Sequence, residues 1–214
     1  MNIEETKKAI KEWSNVRTSP EKVLTYFKQG CCFKIEKSYY EQWKKTSPKN
    51  LHVYLGIFAG VLKFVLIDSE SDKNPAAHED STFVGDYLPG LNITEEGFID
   101  KAFDGDIKVI DALKKVMQWN VFVDSWVYNK VRTTYGIFQA FAVPFCDLVA
   151  QFEKTTNAES VFLFGLSNNN QADLILWGLD TSEQQQSNLP TDTAPVEDLA
   201  YPVPPFGGED FGML

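Results

Sequence analysis

Residues 151–180 read QFEKTTNAESVFLFGLSNNNQADLILWGLD, and residues 42–68 read QWKKTSPKNLHVYLGIFAGVLKFVLID. Both stretches leave an amphipathic segment through a Lys-Thr-Thr or Lys-Thr-Ser run, enter an apolar strand, turn, and return in a second apolar strand closed by an acid. Val53-Tyr54-Leu55 reads against Val161-Phe162-Leu163, and Leu62 with Ile67-Asp68 reads against Leu174 with Leu179-Asp180. Self-similarity at a nearly fixed offset is the sequence mark of a repeated structural unit.

The matching continues outward from the two stretches in the same order. Ile3, Lys7-Lys8 and Ile10 meet Ile110, Lys114-Lys115 and Met117, and Val16-Arg17-Thr18-Ser19 meets Val131-Arg132-Thr133-Thr134. Asp80-Ser81, Val84 and Asp86 meet Asp192-Thr193, Val196 and Asp198. Pro89, Glu96 and Phe98 meet Pro202, Glu209 and Phe211. No single match is specific; their colinearity is what weighs against chance similarity of two α+β segments. The expected fold is therefore α+β, in two pseudo-symmetric tandem units, residues 1–105 and 106–214, or the same units fused into one globular domain. Each unit would pack helices on a small antiparallel sheet built around a β-hairpin, with the apolar faces of the units buried against each other.

Within the first unit, Asn2 with Glu5 reads as a capping box, and Ile3, Ala9, Ile10 and Trp13 trace a thin stripe expected of a surface helix. Ser19-Pro20-Glu21 starts a second helix whose buried face is Val23, Leu24 and Phe27. Ile35, Tyr39, Tyr40 and Trp43 are spaced for one face of a third, over residues 33–45. Leu51–Phe58 and Val61–Asp68 flank Ala59-Gly60 as a hairpin covered on both faces. Polar residues 69–81 read as a loop, Thr82-Phe83-Val84 as a short strand, and residues 95–103 as a short helix.

In the second unit, residues 107–129 carry a helical pattern with Ile110, Leu113, Met117, Val121 and Trp126. Ile137, Phe141, Phe145, Leu148, Val149 and Phe152 form a further helical stripe, kinked or restarted at Pro144. Glu159–Leu166 and Ala172–Asp180 form the second hairpin. The tail beyond Thr181 is Pro-rich and acidic, yet by the repeat residues 196–206 should dock in extended form on the second unit, anchored by Leu199, Tyr201 and Phe206.

The chain has 214 residues, a net charge of -10 and three cysteines. Residues 1–50 hold eleven Lys/Arg against six Asp/Glu, so the negative charge belongs to the remainder. An acidic whole disfavours nucleic acid as a partner, because phosphate binding draws on Lys/Arg clusters. The first residues lack the apolar core of a secretory signal, and no apolar run reaches a membrane span, so the expectation is a cytoplasmic protein with no membrane association. An adjacent Cys31-Cys32 pair and a distant Cys146 are not a disulfide framework, and buried thiols are the default.

Catalytic signatures are near misses. Gly85 and Gly90 have P-loop spacing, but Leu91-Asn92 replaces the Lys-Ser/Thr that would meet phosphate. Asp104-Gly105-Asp106 lacks the Gly and Glu positions of a calcium loop. His52, in an apolar strand, reads as a packed or edge residue, and His78, in an acidic loop, as a solvated one; neither has metal-ligand spacing. No catalytic residue, metal or cofactor is assigned. Arg17 and Arg132 occupy one position of the repeat, and two guanidiniums near a pseudo-axis could clamp an anion; the plainer role for each is to tether its own unit through carbonyls or an acid. The expected function is a non-enzymatic interaction or regulatory protein with a protein partner or self-association, Tyr201 and Phe206 being candidate partner contacts. The alternative is a small anionic ligand-binding protein or enzyme with its site in the cleft between the units, at Arg17 and Arg132.

Overall fold

Ala59 and Gly60 reverse the chain between β2 (Asn50–Phe58) and β3 (Val61–Asp68) with φ of 49° and 82°. Two successive positive φ values make the turn whose twist matches that of the flanking strands, and Phe58 is held opposite Val61. The second hairpin joins β6 (Glu159–Leu166) to β7 (Ala172–Leu179) through a longer polar turn with Asn170 at φ 59°. The computed structural model describes residues 2–89, 109–134, 136–153, 158–179, 196–197, 200–203 and 211–214. The short helix expected over residues 95–103 lies outside them.

Two of the expected helices are strand-helix pairs. Residues 33–45 hold the end of β1 (Cys32–Glu36) and then α3 (Lys37–Trp43), and the stripe from Ile137 to Phe152 spans β5 (Ala140–Pro144) and α7 (Phe145–Glu153). Buried Phe33 and Ile35 alternate with exposed Lys34 and Glu36, the period of two that marks a strand. The stripe residues are nonetheless core: Ile137, Phe141, Phe145, Leu148 and Phe152 are all buried.

The strands form two antiparallel sheets, giving a mixed helix and sheet, α+β architecture. One runs β1-β6-β7-β8, with β8 at Val196–Glu197; the other runs β4-β3-β2-β5-β9, with β4 at Phe83–Asp86 and β9 at Tyr201–Val203. Each sheet thus contains a strand from the other half of the chain: β1 lies beside β6, and β5 beside β2. The chain leaves both of these strands in the same way. The Lys37 N–H donates to the Ala158 carbonyl at 2.9 Å, and the Phe145 N–H donates to the Lys49 carbonyl at 2.9 Å.

The sheets face each other across the main core, where Phe33 stacks on Phe64 at 3.8 Å and on Phe162 at 5.0 Å. The outer face of the first sheet is covered by α6 (Val109–Thr134), with Ala112 and Val116 against Val161, Leu163, Ile175 and Trp177. The outer face of the second is covered by α1 (Ile3–Val16), with Ile10 against Tyr54, Val65 and Ile67. A glycine admits each helix: a Cβ on Gly56 would lie 3.4 Å from that of Ala9, and one on Gly165 would lie 3.2 Å from that of Lys115. α1 is no thin surface helix, since Trp13 is fully buried and its indole N–H donates to the Phe138 carbonyl at 3.1 Å. α2 (Pro20–Phe27) begins at the expected proline, and Phe27 packs edge-on to Trp119 of α6 at 5.3 Å.

Val53 and Val161, matched in the sequence, do not face alike in the first strands of the two hairpins. Val53 faces the core between the sheets, whereas Val161 faces α6, and it is Phe162 that shares the inter-sheet core with Val53. A slip of one residue turns every side chain of a strand to the opposite face.

Candidate functional site

The densest buried polar cluster among the described residues lies on the outer face of β2, where His52 and Tyr54 are two residues apart and point the same way. Residues 69–81, expected as a loop, fold into α4 (Ser69–Asp72), a short 3-10 turn and α5 (His78–Ser81). Asp68 caps α4: its carboxylate accepts from the Glu70 and Ser71 N–H groups at 3.1 and 2.9 Å and from the Thr46 hydroxyl at 2.8 Å. That cap aims Asp72 into the interior, where it is fully buried.

Asp72 Oδ2 accepts from His52 Nδ1 at 2.7 Å, from the Tyr54 hydroxyl, and from the Gly212 N–H at 3.1 Å. The Met213 N–H donates in turn to the Tyr54 oxygen at 3.3 Å, and Phe211 stacks on the His52 ring at 4.0 Å. A side chain at position 212 would run into the Asp72 carbonyl, so this approach requires glycine. Burial, and then the charge of Asp72, push the Tyr54 phenol well above its ordinary range. His78 is not solvated as expected: it is 1% exposed, and its Nε2 donates to the Asp72 backbone carbonyl at 2.8 Å.

An aspartate holding a histidine by Nδ1 is the geometry that orients a general base. Here, however, the imidazole is 1% exposed and is covered by the Phe211 ring. Ser69, the nearby hydroxyl, is engaged with the Asn50 N–H at 3.3 Å and with Glu70. Among the described residues there is no cluster of His, Cys, Asp and Glu able to hold a metal ion. What the arrangement does chemically is to tie β2 and residues 212–213 to the Asp72 side chain and its Tyr54 partner, and α5 to the Asp72 backbone carbonyl.

The residues singled out in the sequence lie elsewhere. Arg17 follows the last turn of α1 and is engaged with the residues after α6: its Nη1 donates to the Ile137 carbonyl at 2.6 Å, and its own carbonyl accepts from the Ile137 N–H at 3.1 Å. Partial burial lowers the pKa of this guanidinium. Arg132 sits exposed in the last turn of α6. Among the described residues, neither arginine lines a cleft around Phe122, Trp126 and Asn170 or another around Phe27, Tyr87 and Trp119. Cys32 is buried, and a hydrogen bond with Cys31 and then burial push its thiol up, away from the thiolate that reactivity needs.

The tail docks at the points described, and of the expected anchors Tyr201 is not buried there. β9 pairs with β5, and Ala200, Val203, Phe211 and Met213 are buried, while Tyr201 is 48% exposed. Leu199 and Phe206 lie outside the described residues. The feature that sequence reasoning misread is the outer side of α6. Ile110, Met117 and Val121, taken there as part of one helical pattern with Trp126, are 56%, 64% and 69% exposed. The residues that bury α6 are Ala112, Val116, Trp119, Trp126 and Val127.

No protein-family model, curated protein or solved structure matches this chain. No helix among the described residues is long and apolar enough to cross a membrane.

Proposed function

We propose that this chain is a non-enzymatic, cytoplasmic interaction or regulatory protein, built by tandem duplication, that engages a protein partner through the outer face of α6. The observation that carries the proposal is that face: a 26-residue helix, already packed on its own core by one side, holds large apolar side chains on the other. Isolated exposed apolar residues are ordinary, but a contiguous set marks an interaction surface. Two further features support a binding rather than a catalytic role. The catalytic-type groups His52 and Asp72 are sealed by the protein's own C-terminus, and aromatic side chains fill the space between the sheets where a cleft would have to lie.

Duplication is supported by the reciprocal strand pairing. In this reading residues 1–105 and 106–214 are pseudo-symmetric units that exchange their first strands, so that β1 corresponds to β5, α3 to α7, and the first hairpin to the second. The paired bonds from Lys37 and Phe145 fit it with offsets of 108 (37 to 145) and 109 (49 to 158), and Gly56 and Gly165, which each admit a helix, are again 109 apart.

A photo-crosslinking amino acid in place of Val121, introduced in the native cell, tests the binding face. The expected result is a discrete covalent protein adduct that the same probe at exposed Glu79 does not give. Equal labelling at both positions, or no adduct at position 121, would contradict the proposal.

A further inference from the structure

We propose that the partner of α6 is a second copy of this chain, docked antiparallel across a twofold axis; this rests on the reading of α6 as the binding face. Among the described residues, eight large hydrophobic side chains are exposed, and five of them, Ile110, Met117, Val121, Phe122 and Tyr128, are on this helix. Four of the five fall in one seam. Ile110, Lys114, Met117, Val121, Asp124 and Tyr128 follow one another at alternating intervals of four and three residues, the spacing of the contact positions of a coiled coil. The residues that pack α6 onto its own body, Ala112, Val116, Trp119 and Trp126, project from the opposite side, so the seam is presented outward.

The order of residues in the seam identifies the occupant. In an antiparallel pair with its twofold level with Trp119, Ile110 faces Tyr128 of the second copy, Met117 faces Val121, and Lys114 faces Asp124. All three pairings are chemically matched: two are apolar, and one joins opposite charges. Because an isologous interface uses the same patch twice, it requires matched residues at equal distances on either side of its centre. Lys114 and Asp124, five residues before and five after position 119, meet that requirement, and an unrelated partner would not impose it. Among the described residues, these two side chains form exposed ion pairs within one copy, Lys114 with Asp111 at 3.1 Å and Asp124 with Lys28 at 3.9 Å. Such pairs contribute little and exchange readily.

The seam, at about 1.5 Å per residue, is roughly 27 Å long, which suits a modest interface with affinity in the micromolar range. The test is sedimentation velocity of the full chain across that range, at physiological ionic strength so that the net charge of -10 on each copy is screened. A concentration-dependent dimer is expected. K114E and D124K should each weaken it by about tenfold or more, because each sets like charges face to face, and the double variant K114E/D124K should recover to within about threefold of the original. V121D should leave a monomer, with circular dichroism confirming that the helix persists. A monomer at all concentrations, or a dimer insensitive to these changes or not restored by the double variant, would overturn the proposal. The two failures are separable: a monomeric chain that still forms a cellular adduct at position 121 defeats self-association alone, whereas the absence of any adduct defeats the binding face itself.

Discussion

Asp72 is the residue on which the polar interior depends. Three donors converge on one of its oxygens, from His52, Tyr54 and the Gly212 backbone, and the buried His52 and Tyr54 donors would be left unpaired without it. Losing one member of such a set costs the desolvation of every group it satisfied, not a single hydrogen bond. Asp72→Ala is therefore expected to lower stability by about 3 kcal/mol or more, measured by urea denaturation. A loss under about 1 kcal/mol would mean that water enters and satisfies the cluster. The tyrosines make a second prediction at this scale. Burial, and next the charge of Asp72, raise the Tyr54 phenol; burial above all raises that of Tyr87. The folded protein holds these protons more tightly than the unfolded chain does. The resulting stability is fully present below the ordinary phenol value of about 10 and is lost as the pH rises above it. Tyr54→Phe should flatten the fall in unfolding free energy with pH above about 10; an unchanged slope would show that Tyr54 ionises as freely folded as unfolded.

At the scale of the element, the hairpins were legible and the strands that cross between halves were not. The Ala59-Gly60 turn and the apolar run on each side of it place β2 and β3 to within one residue, because turn chemistry and strand pattern are both local. Ile35, Tyr39 and Trp43 fit helical spacing equally well when a strand simply runs into a helix, and only the alternation of Phe33 and Ile35 with Lys34 and Glu36 separates the two cases. Phe141 and Val143, on alternate residues ahead of Pro144, carry the same overlooked signal. α6 was legible as a helix but not in its orientation, since it bears one apolar stripe toward the core and another toward solvent. The His52–Asp72 pair was out of reach: nothing local announces that a histidine in an apolar strand will meet an acid in a polar stretch and be closed over by the last residues of the chain. The core role of the Ile137 to Phe152 stripe survives the change of secondary structure. Phe145 is 6% exposed and stacks on Tyr40 at 5.6 Å, so Phe145→Ala should cost roughly 3 to 5 kcal/mol in thermal or urea unfolding. A loss below about 1 kcal/mol would place it outside the cooperative core.

For the whole molecule, the consequence of β1 pairing with β6 and β5 with β2 is that neither half of the chain can complete a sheet by itself. Without residues 106–214, β2 loses the neighbour that covers its edge, and Phe33 loses Phe162; without residues 1–105, β6 loses β1, and α7 loses its packing on Tyr40. An open edge and an uncovered apolar face together leave a segment of this size without a stable fold. This mutual completion is what fixes α6 on the outside of the molecule with its second stripe unspent, and what holds the His52 cluster closed beneath the C-terminus. The direct measurement is to produce residues 1–105 and 106–214 as separate polypeptides and follow each, and their mixture, by circular dichroism and thermal unfolding. Neither fragment alone should show a cooperative transition, and the mixture should form a one-to-one complex that melts cooperatively. A fragment that folds by itself as a stable monomer would contradict the account.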